Sequence, residues 1–173
     1  MRWDVKTASA KFKPRVQLSV NQRSSLGTEW GVLDYSLALA TNVTADLWPG
    51  AVIDVRHFTP MAKSDDVGFF GHPVSEHENT VDRVLLHQAI GLGGGLMTQF
   101  SVGQVATDFH AIFNETRWQS ENGAHRVSVR ASRWEHKDDD RVFDPVLAYY
   151  RYYMPGQAHG VEVFGGQFQA GDN

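Results

Sequence analysis

The sequence predicts an all-β fold, an antiparallel up-and-down transmembrane β-barrel, or part of one, with eight or nine strands. Three observations lead to this prediction. Apolar and polar residues alternate with a period of two over segments near ten residues long, whereas helical spacing is not sustained anywhere. Tight turns alternate along the chain with longer polar connections. Mean hydropathy is only -0.36, and no stretch approaches the roughly 18 apolar residues of a spanning helix.

The first two predicted strands lie near the N-terminus. Residues 1–25 are an N-terminal segment with one strand, Arg15–Val20, and residues 26–173 form the barrel segment. From Leu33 to Leu47 the odd positions are mostly apolar, and the even positions are polar or small. Because one membrane crossing takes only about 9–11 residues, this run is expected to break near Thr41-Asn42 or to protrude from the bilayer.

The remaining strands follow at regular intervals and are separated by turn signals. They are predicted at residues 51–56, 83–92, 96–105, 112–119, 125–134, 145–154 and 161–168. Tight turns are predicted at Trp48-Pro49-Gly50, Gly93-Gly94-Gly95, Glu121-Asn122-Gly123 and Pro155-Gly156, and the longest connection runs from Pro60 to about Asp82. Short connections on one side and long ones on the other are typical of a membrane barrel.

Charged and aromatic residues favour the membrane barrel over a soluble β-sandwich, which also alternates. Charges such as Asp54 and Arg126 fall in mid-strand on one face, where a small soluble core would exclude them. Aromatic residues are expected near strand ends as an interfacial girdle: Trp48, Phe58, Trp118, Trp134 and the cluster Tyr149–Tyr153. The two folds differ in where Val127, Val129 and Ala131 point, outward into an apolar band or inward into a dry core.

Charge and composition exclude several classes of protein. The net charge of -4 and the lack of a basic cluster argue against a nucleic-acid partner. The absence of cysteine excludes disulfides, thiolate metal sites and cysteine nucleophiles. The N-terminus lacks the apolar run of a signal peptide, so an exported protein of this type is expected to be longer than this segment.

One constellation of residues stands out as a candidate binding site, a set of charged and aromatic side chains on the predicted inner face. Arginine donates several hydrogen bonds and aromatic faces stack on sugar rings, but such residues also pair with one another to fill a barrel, and both interpretations stay open. No cofactor and no metal site is predicted. The candidate residues are Asp54, Arg56, His87, Arg126, Arg130, Tyr149, Arg151 and Tyr153.

Two other features point to chemistry less directly. Glu115 and Glu162 are inner-face candidates for the acid pair of a glycoside hydrolase, but the sequence does not bring them together. Residues 71–78 hold two histidines and two glutamates, including His72 and His77, and an exposed polar loop is favoured there over a metal site.

The chain carries a series of short motifs: Leu26-Gly27-Thr28-Glu29-Trp30-Gly31, Asp34-Tyr35-Ser36-Leu37, Asp46-Leu47-Trp48-Pro49-Gly50, Leu86-His87-Gln88, Gly94-Gly95-Leu96-Met97, Ser101-Val102-Gly103, Asn114-Glu115-Thr116-Arg117-Trp118, Tyr149-Tyr150-Arg151-Tyr152-Tyr153, and Gly166-Gln167-Phe168 with Ala170-Gly171-Asp172-Asn173. Over roughly Leu26 to Asn173 these motifs resemble the YjbH/GfcD family of outer-membrane proteins. The resemblance implies a non-catalytic barrel in the bacterial outer membrane that works with other envelope proteins in making or exporting exopolysaccharide. Polysaccharide and outer-membrane lipid or lipopolysaccharide would be its partners.

Two alternative functions remain open on the sequence. The first is a barrel enzyme that modifies an envelope glycolipid or polysaccharide, which would need a nucleophile or an acid pair converging at one rim. The second is a soluble carbohydrate-binding β-sandwich, which would need two packed sheets with a dry core.

Overall fold

The fold is all-β, one antiparallel up-and-down sheet of ten strands. The computed structural model describes residues 12–27, 32–68, 75–154 and 159–167. No helix in these ranges is long and apolar enough to cross a membrane. The strands are β1 (Pro14–Leu26), β2 (Leu33–Trp48), β3 (Ala51–Lys63), β4 (Thr80–Gly93), β5 (Leu96–Val105), β6 (Phe109–Gln119), β7 (His125–His136), β8 (Val142–Phe143), β9 (Val146–Tyr153) and β10 (Gly160–Gln167).

Nine of these strands correspond to the predicted ones, and the tenth is the two-residue β8, which pairs only with β7. Of the two alternatives for the long run, the break at Thr41-Asn42 is wrong, because β2 continues through it to Trp48 with β1 and β3 paired on either side. Protrusion from the bilayer stays a prediction. The long polar connection is shorter than predicted, since β3 extends to Lys63 and β4 already begins at Thr80.

The sheet is not closed into a barrel. Its strand order is β1-β2-β3-β4-β5-β6-β7-β9-β10, so β1 and β10 are its two edges. The described strands form this single sheet and not the two packed sheets of a sandwich.

Connections differ in length between the two ends of the sheet. At one end they are short: residues 49–50, 94–95, 120–124 and 154–159. At the other end they comprise residues 27–32, 64–79, 106–108 and 137–145. Two connections depart from the predicted rhythm. The connection 154–159 has as many residues as 27–32 at the other end. The connection 106–108 is a tight turn in which Ala106 and Thr107 adopt positive φ angles, and no glycine marks this turn in the sequence.

The two faces of the sheet differ in chemistry and in exposure. One, here called the apolar face, carries most of the valines and leucines of the long strands, with Val127 39% and Val129 43% exposed. The other, the polar face, carries small and charged residues, several of which are buried although no second sheet covers them. Exposed members of the apolar face are Val16, Leu18, Val20, Val84, Leu86, Phe100, Val102, Ile112, Val127, Val129, Val161 and Val163.

The small core lies on the polar face. One cluster joins Ala38 and Ala40 of β2 to Phe58 of β3. The other joins Leu85, Val105 and Ala111, with Phe109, Phe113 and Trp134 packed against it. The first of these clusters is covered in part by the connection between β3 and β4, because the His77 ring lies edge-to-face against Phe58 with ring centroids 5.1 Å apart.

Part of the predicted aromatic girdle is therefore wrong. Trp134 packs edge-to-face on Phe113, with ring centroids 5.3 Å apart, and Phe58 is buried. Both lie on the polar face. Trp48 and Trp118 are exposed at strand ends, as expected, and Trp48 donates its Nε1–H to Oε1 of Gln88 at 2.7 Å.

Candidate functional site

All eight predicted site residues lie on the polar face, but they fall into two separate patches. The balanced patch, on β3 and β4, consists of Asp54, Arg56, Asp82, Arg83 and His87. The arginine-rich patch, on β6, β7, β9 and β10, consists of Glu115, Arg117, Arg126, Arg130, Tyr149, Arg151, Tyr153 and Glu162.

Two carboxylates neutralise two arginines in the balanced patch. Arg56 donates to Asp82 Oδ2 from Nε at 2.7 Å, and Arg83 Nη2 lies 2.8 Å from Asp54 Oδ2. Asp82 is buried and Asp54 is mostly so. Pairs this well shielded from water are screened little by salt, so these residues serve to hold β3 against β4.

A β-bulge brings the second carboxylate into the balanced patch. Arg56 faces Arg83 and His57 faces Val81, so Asp82 has no partner across the strand pair. A bulge turns a side chain out of the normal alternation, and here Asp82 and Arg83 both contact polar-face residues. Strict alternation cannot anticipate this, which is why Asp82 was absent from the sequence-based candidates.

His87 completes the balanced patch through hydrogen bonds rather than charge. Its Nδ1 lies 2.7 Å from Ser101 Oγ on β5. Its Nε2 lies 3.9 Å from Asp54 Oδ2. The prediction that His87 belongs to a polar network on the inner face is consistent with these contacts.

The arginine-rich patch is ordered in rows across the sheet, because antiparallel strands place facing residues side by side. One row reads Gln119, Arg126, Arg151, Glu162 from β6 to β10. The next row, about 7 Å along the strands, reads Arg117, Ser128, Tyr149, Phe164.

Two of the four arginines have carboxylate and aromatic partners. Arg130 donates from Nε to Glu115 Oε2 at 2.9 Å, and its guanidinium lies 4.9 Å from the Tyr149 ring centroid. Arg151 donates from Nε to Glu162 Oε2 at 2.5 Å and from Nη1 to the Tyr153 hydroxyl at 3.1 Å. Both arginines thus lie against the face or the hydroxyl of a tyrosine.

The other two arginines have no carboxylate within 4.0 Å among the described residues. Arg117 contacts Met97 Sδ, which is a weak acceptor. Arg126 reaches Gln119 Oε1 at 3.4 Å, and its buried Nε has no hydrogen-bond partner. With four arginines and two glutamates, this patch carries a formal excess of two positive charges, whereas the balanced patch carries none.

The two candidate acids for glycoside hydrolysis are not brought together. Glu115 lies on β6 and Glu162 on β10, with β7 and β9 between them. Three strand spacings amount to roughly 14 Å measured across the strands, which exceeds the separation of the two carboxyl groups in such acid pairs. Each carboxylate is instead held by an arginine.

Part of the connection between β3 and β4 folds onto the polar face. His77 is 1% exposed, so the expectation of an exposed loop is wrong for this residue, while His72 lies outside the described residues. The backbone N–H of His77 donates to Ser36 Oγ at 3.0 Å. In the His77 ring, Nδ1 lies 2.8 Å from Ser36 Oγ and Nε2 lies 2.8 Å from Asn21 Oδ1. Burial lowers the pKa of His77, and the nearby Arg23 charge lowers it further.

The same loop is held at Ser75 and Glu76 by charged side chains of β1 and β3. Arg23 donates to Ser75 Oγ at 2.8 Å, and Lys63 donates to Glu76 Oε2 at 2.7 Å. Within the described ranges, no group of three or more His, Asp or Glu side chains is placed to hold a metal ion.

Comparison with known proteins adds no relative to this description. No family model, curated protein or solved structure matches the chain. The binding properties of the polar face must therefore follow from its own side chains.

Proposed function

We propose that this chain forms part of the wall of a bacterial outer-membrane β-barrel that acts, without catalysis, in making or exporting exopolysaccharide. The observation that carries the proposal is the two-faced sheet, with an exposed apolar face and a charged polar face that is partly buried. A membrane barrel needs this arrangement, apolar residues toward lipid and polar residues toward the lumen.

The exposed apolar face supports the membrane part of the proposal. Its valines, leucines and phenylalanine continue from β1 to β10 without a covering layer in the described residues. Soluble monomers rarely expose so extended an apolar surface, because each Å² left in water costs about 25 cal/mol relative to burial. Lipid tails remove that cost.

Closing the sheet into a barrel would need strands beyond those described. Nine strands alternate in direction along the path from β1 to β10, so the two edge strands run the same way. Pairing them directly would make a parallel seam, and a fully antiparallel barrel needs an even number of strands. We therefore expect an odd number of additional strands to complete the wall, since unpaired edges in lipid would leave backbone groups unsatisfied.

The polar face supports the polysaccharide part of the proposal. The arginine-rich patch combines several N–H donors with the rings of Tyr149, Tyr153 and Phe164. Donors beside aromatic faces suit a hydrated sugar polymer. The choice of exopolysaccharide among sugar polymers comes from the motif resemblance to the YjbH/GfcD family.

Fractionation of cells that express the protein in its native form tests the membrane part. Recovery in the outer membrane, with a band that shifts on a gel after heating, is the expected result for a closed barrel. Val129→Arg adds a sharper arm, because an arginine on the lipid face near the bilayer midplane costs about 2–4 kcal/mol. A protein recovered in soluble form, and unaffected by this substitution, would overturn the proposal.

Polymer secretion tests the polysaccharide part. Arg130→Gln combined with Arg151→Gln is expected to lower the amount of secreted polymer while the heat-dependent band shift is kept. Arg133→Gln is the matched control, because Arg133 lies on the opposite face of β7 and pairs with Glu135. Unchanged secretion in the double variant would count against a direct role of this patch.

A further inference from the structure

The charge imbalance in the arginine-rich patch points to the kind of polymer involved. Arg126 and Arg151 are direct cross-strand partners, and like charges in such positions are destabilising. Glu162 is the nearest carboxylate in that row, and it is already bonded to Arg151. The row therefore keeps one positive charge uncompensated by the described side chains.

Arg117 adds a second uncompensated charge beside the first. It faces Ser128, which lies two residues from Arg126 on the same strand. Diagonal neighbours of this kind have Cβ atoms about 7–8 Å apart or somewhat less, a span that two arginine side chains can close around one ion. Ser128, which adjoins both arginines and is 7% exposed, carries a hydroxyl, and Tyr149 borders the position on β9.

The unsatisfied Nε of Arg126 is a separate observation that points to a ligand. This atom is buried and has no hydrogen-bond partner, and an orphan buried donor needs an explanation, of which a bound ion is one. The two comparable atoms in the balanced patch, Asp54 Oδ1 and Arg83 Nε, belong to residues that already pair with each other.

We propose that Arg117, Arg126 and Ser128 form a binding site for the carboxylate of an acidic sugar in the transported polymer. The inference rests on the function proposed above and narrows its substrate to an anionic polysaccharide. A planar guanidinium matches a carboxylate with two parallel hydrogen bonds, and the ring of Tyr149 offers the adjoining sugar an apolar face. Arg151, held by Glu162 and Tyr153, shapes one border of the site.

Calorimetric titration of the purified full chain in detergent tests the proposal. The probes are polygalacturonate, which carries carboxylates, dextran sulfate, which carries sulfates, and neutral dextran. Polygalacturonate is expected to bind at least tenfold more tightly than dextran and more tightly than dextran sulfate. Arg117→Gln with Arg126→Gln should remove that preference, while Arg126→Lys should keep part of it.

Arg133→Gln is the control variant, because it removes an arginine of the same strand from the opposite face. Each variant is first checked for the heat-dependent band shift, so that loss of binding is not confused with loss of folding. Equal binding of polygalacturonate and dextran would overturn the acidic-sugar site but leave the polysaccharide function standing. The acidic-sugar site would also be overturned if dextran sulfate bound more tightly than polygalacturonate, or if Arg133→Gln weakened polygalacturonate binding as much as the double variant. Either result would mean that the patch attracts anions in general.

Failure of all three polymers to bind would overturn both this site and a docking role for the patch. The membrane proposal would then still depend on fractionation alone, since that measurement does not involve the arginines.

Discussion

The balanced patch and the arginine-rich patch use the same residue types for different purposes. In the balanced patch, buried carboxylates meet arginines one to one, and the side chains stabilise the contact between β3 and β4. In the arginine-rich patch the arginines outnumber the carboxylates, and the ion pairs are more exposed. A charged residue on the polar face is therefore a candidate for binding only where its neighbours leave it uncompensated.

The largest difference between the patches should appear when a carboxylate is removed from each. Asp82→Ala leaves the guanidinium of Arg56 unpaired in a site where the Asp82 side chain is only 7% exposed. Breaking a buried pair in this way costs about 3 kcal/mol. Urea-induced unfolding in detergent should show this loss, and a change below about 1 kcal/mol would mean that the balanced patch is not a structural element.

Acidification should destabilise the region around β1–β4 more than the rest of the sheet, because His77 holds the β3–β4 connection there. The pKa of His77 is lowered in the folded protein, so its contribution to stability is complete above pH 6.5 and is lost as the pH falls through the folded value. The positive charge of Arg23 disfavours protonation of His77, and the carboxylate of Asp82 partly offsets this effect of Arg23.

Hydrogen exchange at the His77 amide, which donates to Ser36 Oγ, measures this effect. Protection corrected for the intrinsic rate should fall between pH 7.5 and pH 5, whereas the non-ionising variant His77→Gln should lack that pH dependence. Protection that rises on acidification would show that the sign of the pKa shift is wrong.

A smaller effect is expected from Glu115→Gln in the arginine-rich patch. The side chains of Glu115 and Arg130 are 37% and 54% exposed, and exposed pairs contribute no more than about 1 kcal/mol. The same change frees Arg130 and should strengthen binding of polygalacturonate in calorimetry. A loss of stability as large as that of Asp82→Ala would remove the distinction between the patches.

The smallest effect on stability is expected from Arg126→Gln. The change removes the like-charge contact with Arg151 and the unsatisfied Nε, so the free energy of unfolding should stay the same or rise by a few tenths of a kcal/mol, about the size of a cross-strand pair effect. Urea unfolding of Arg126→Gln is compared with that of Arg56→Gln, which removes the hydrogen-bond partner of Asp82. A larger loss for Arg126→Gln than for Arg56→Gln would reverse our assignment of the two patches.

The sequence by itself determined the strands and the chemistry of the two faces. Period-two alternation is set by the backbone, so placing Asp54, Arg130 and Arg151 on one face required no tertiary information. The eight candidate residues share that face in the structure for this reason.

Only the tertiary structure decided which charges meet. Strand register brings Arg126 opposite Arg151, and the bulge turns Asp82 toward Arg56. It also showed that Trp134 packs on the polar face and that His77 is buried. Register and bulges depend on contacts between distant segments, and a shift of one residue changes every partner. The pattern within one strand therefore cannot determine which arginine is neutralised by a carboxylate and which is not.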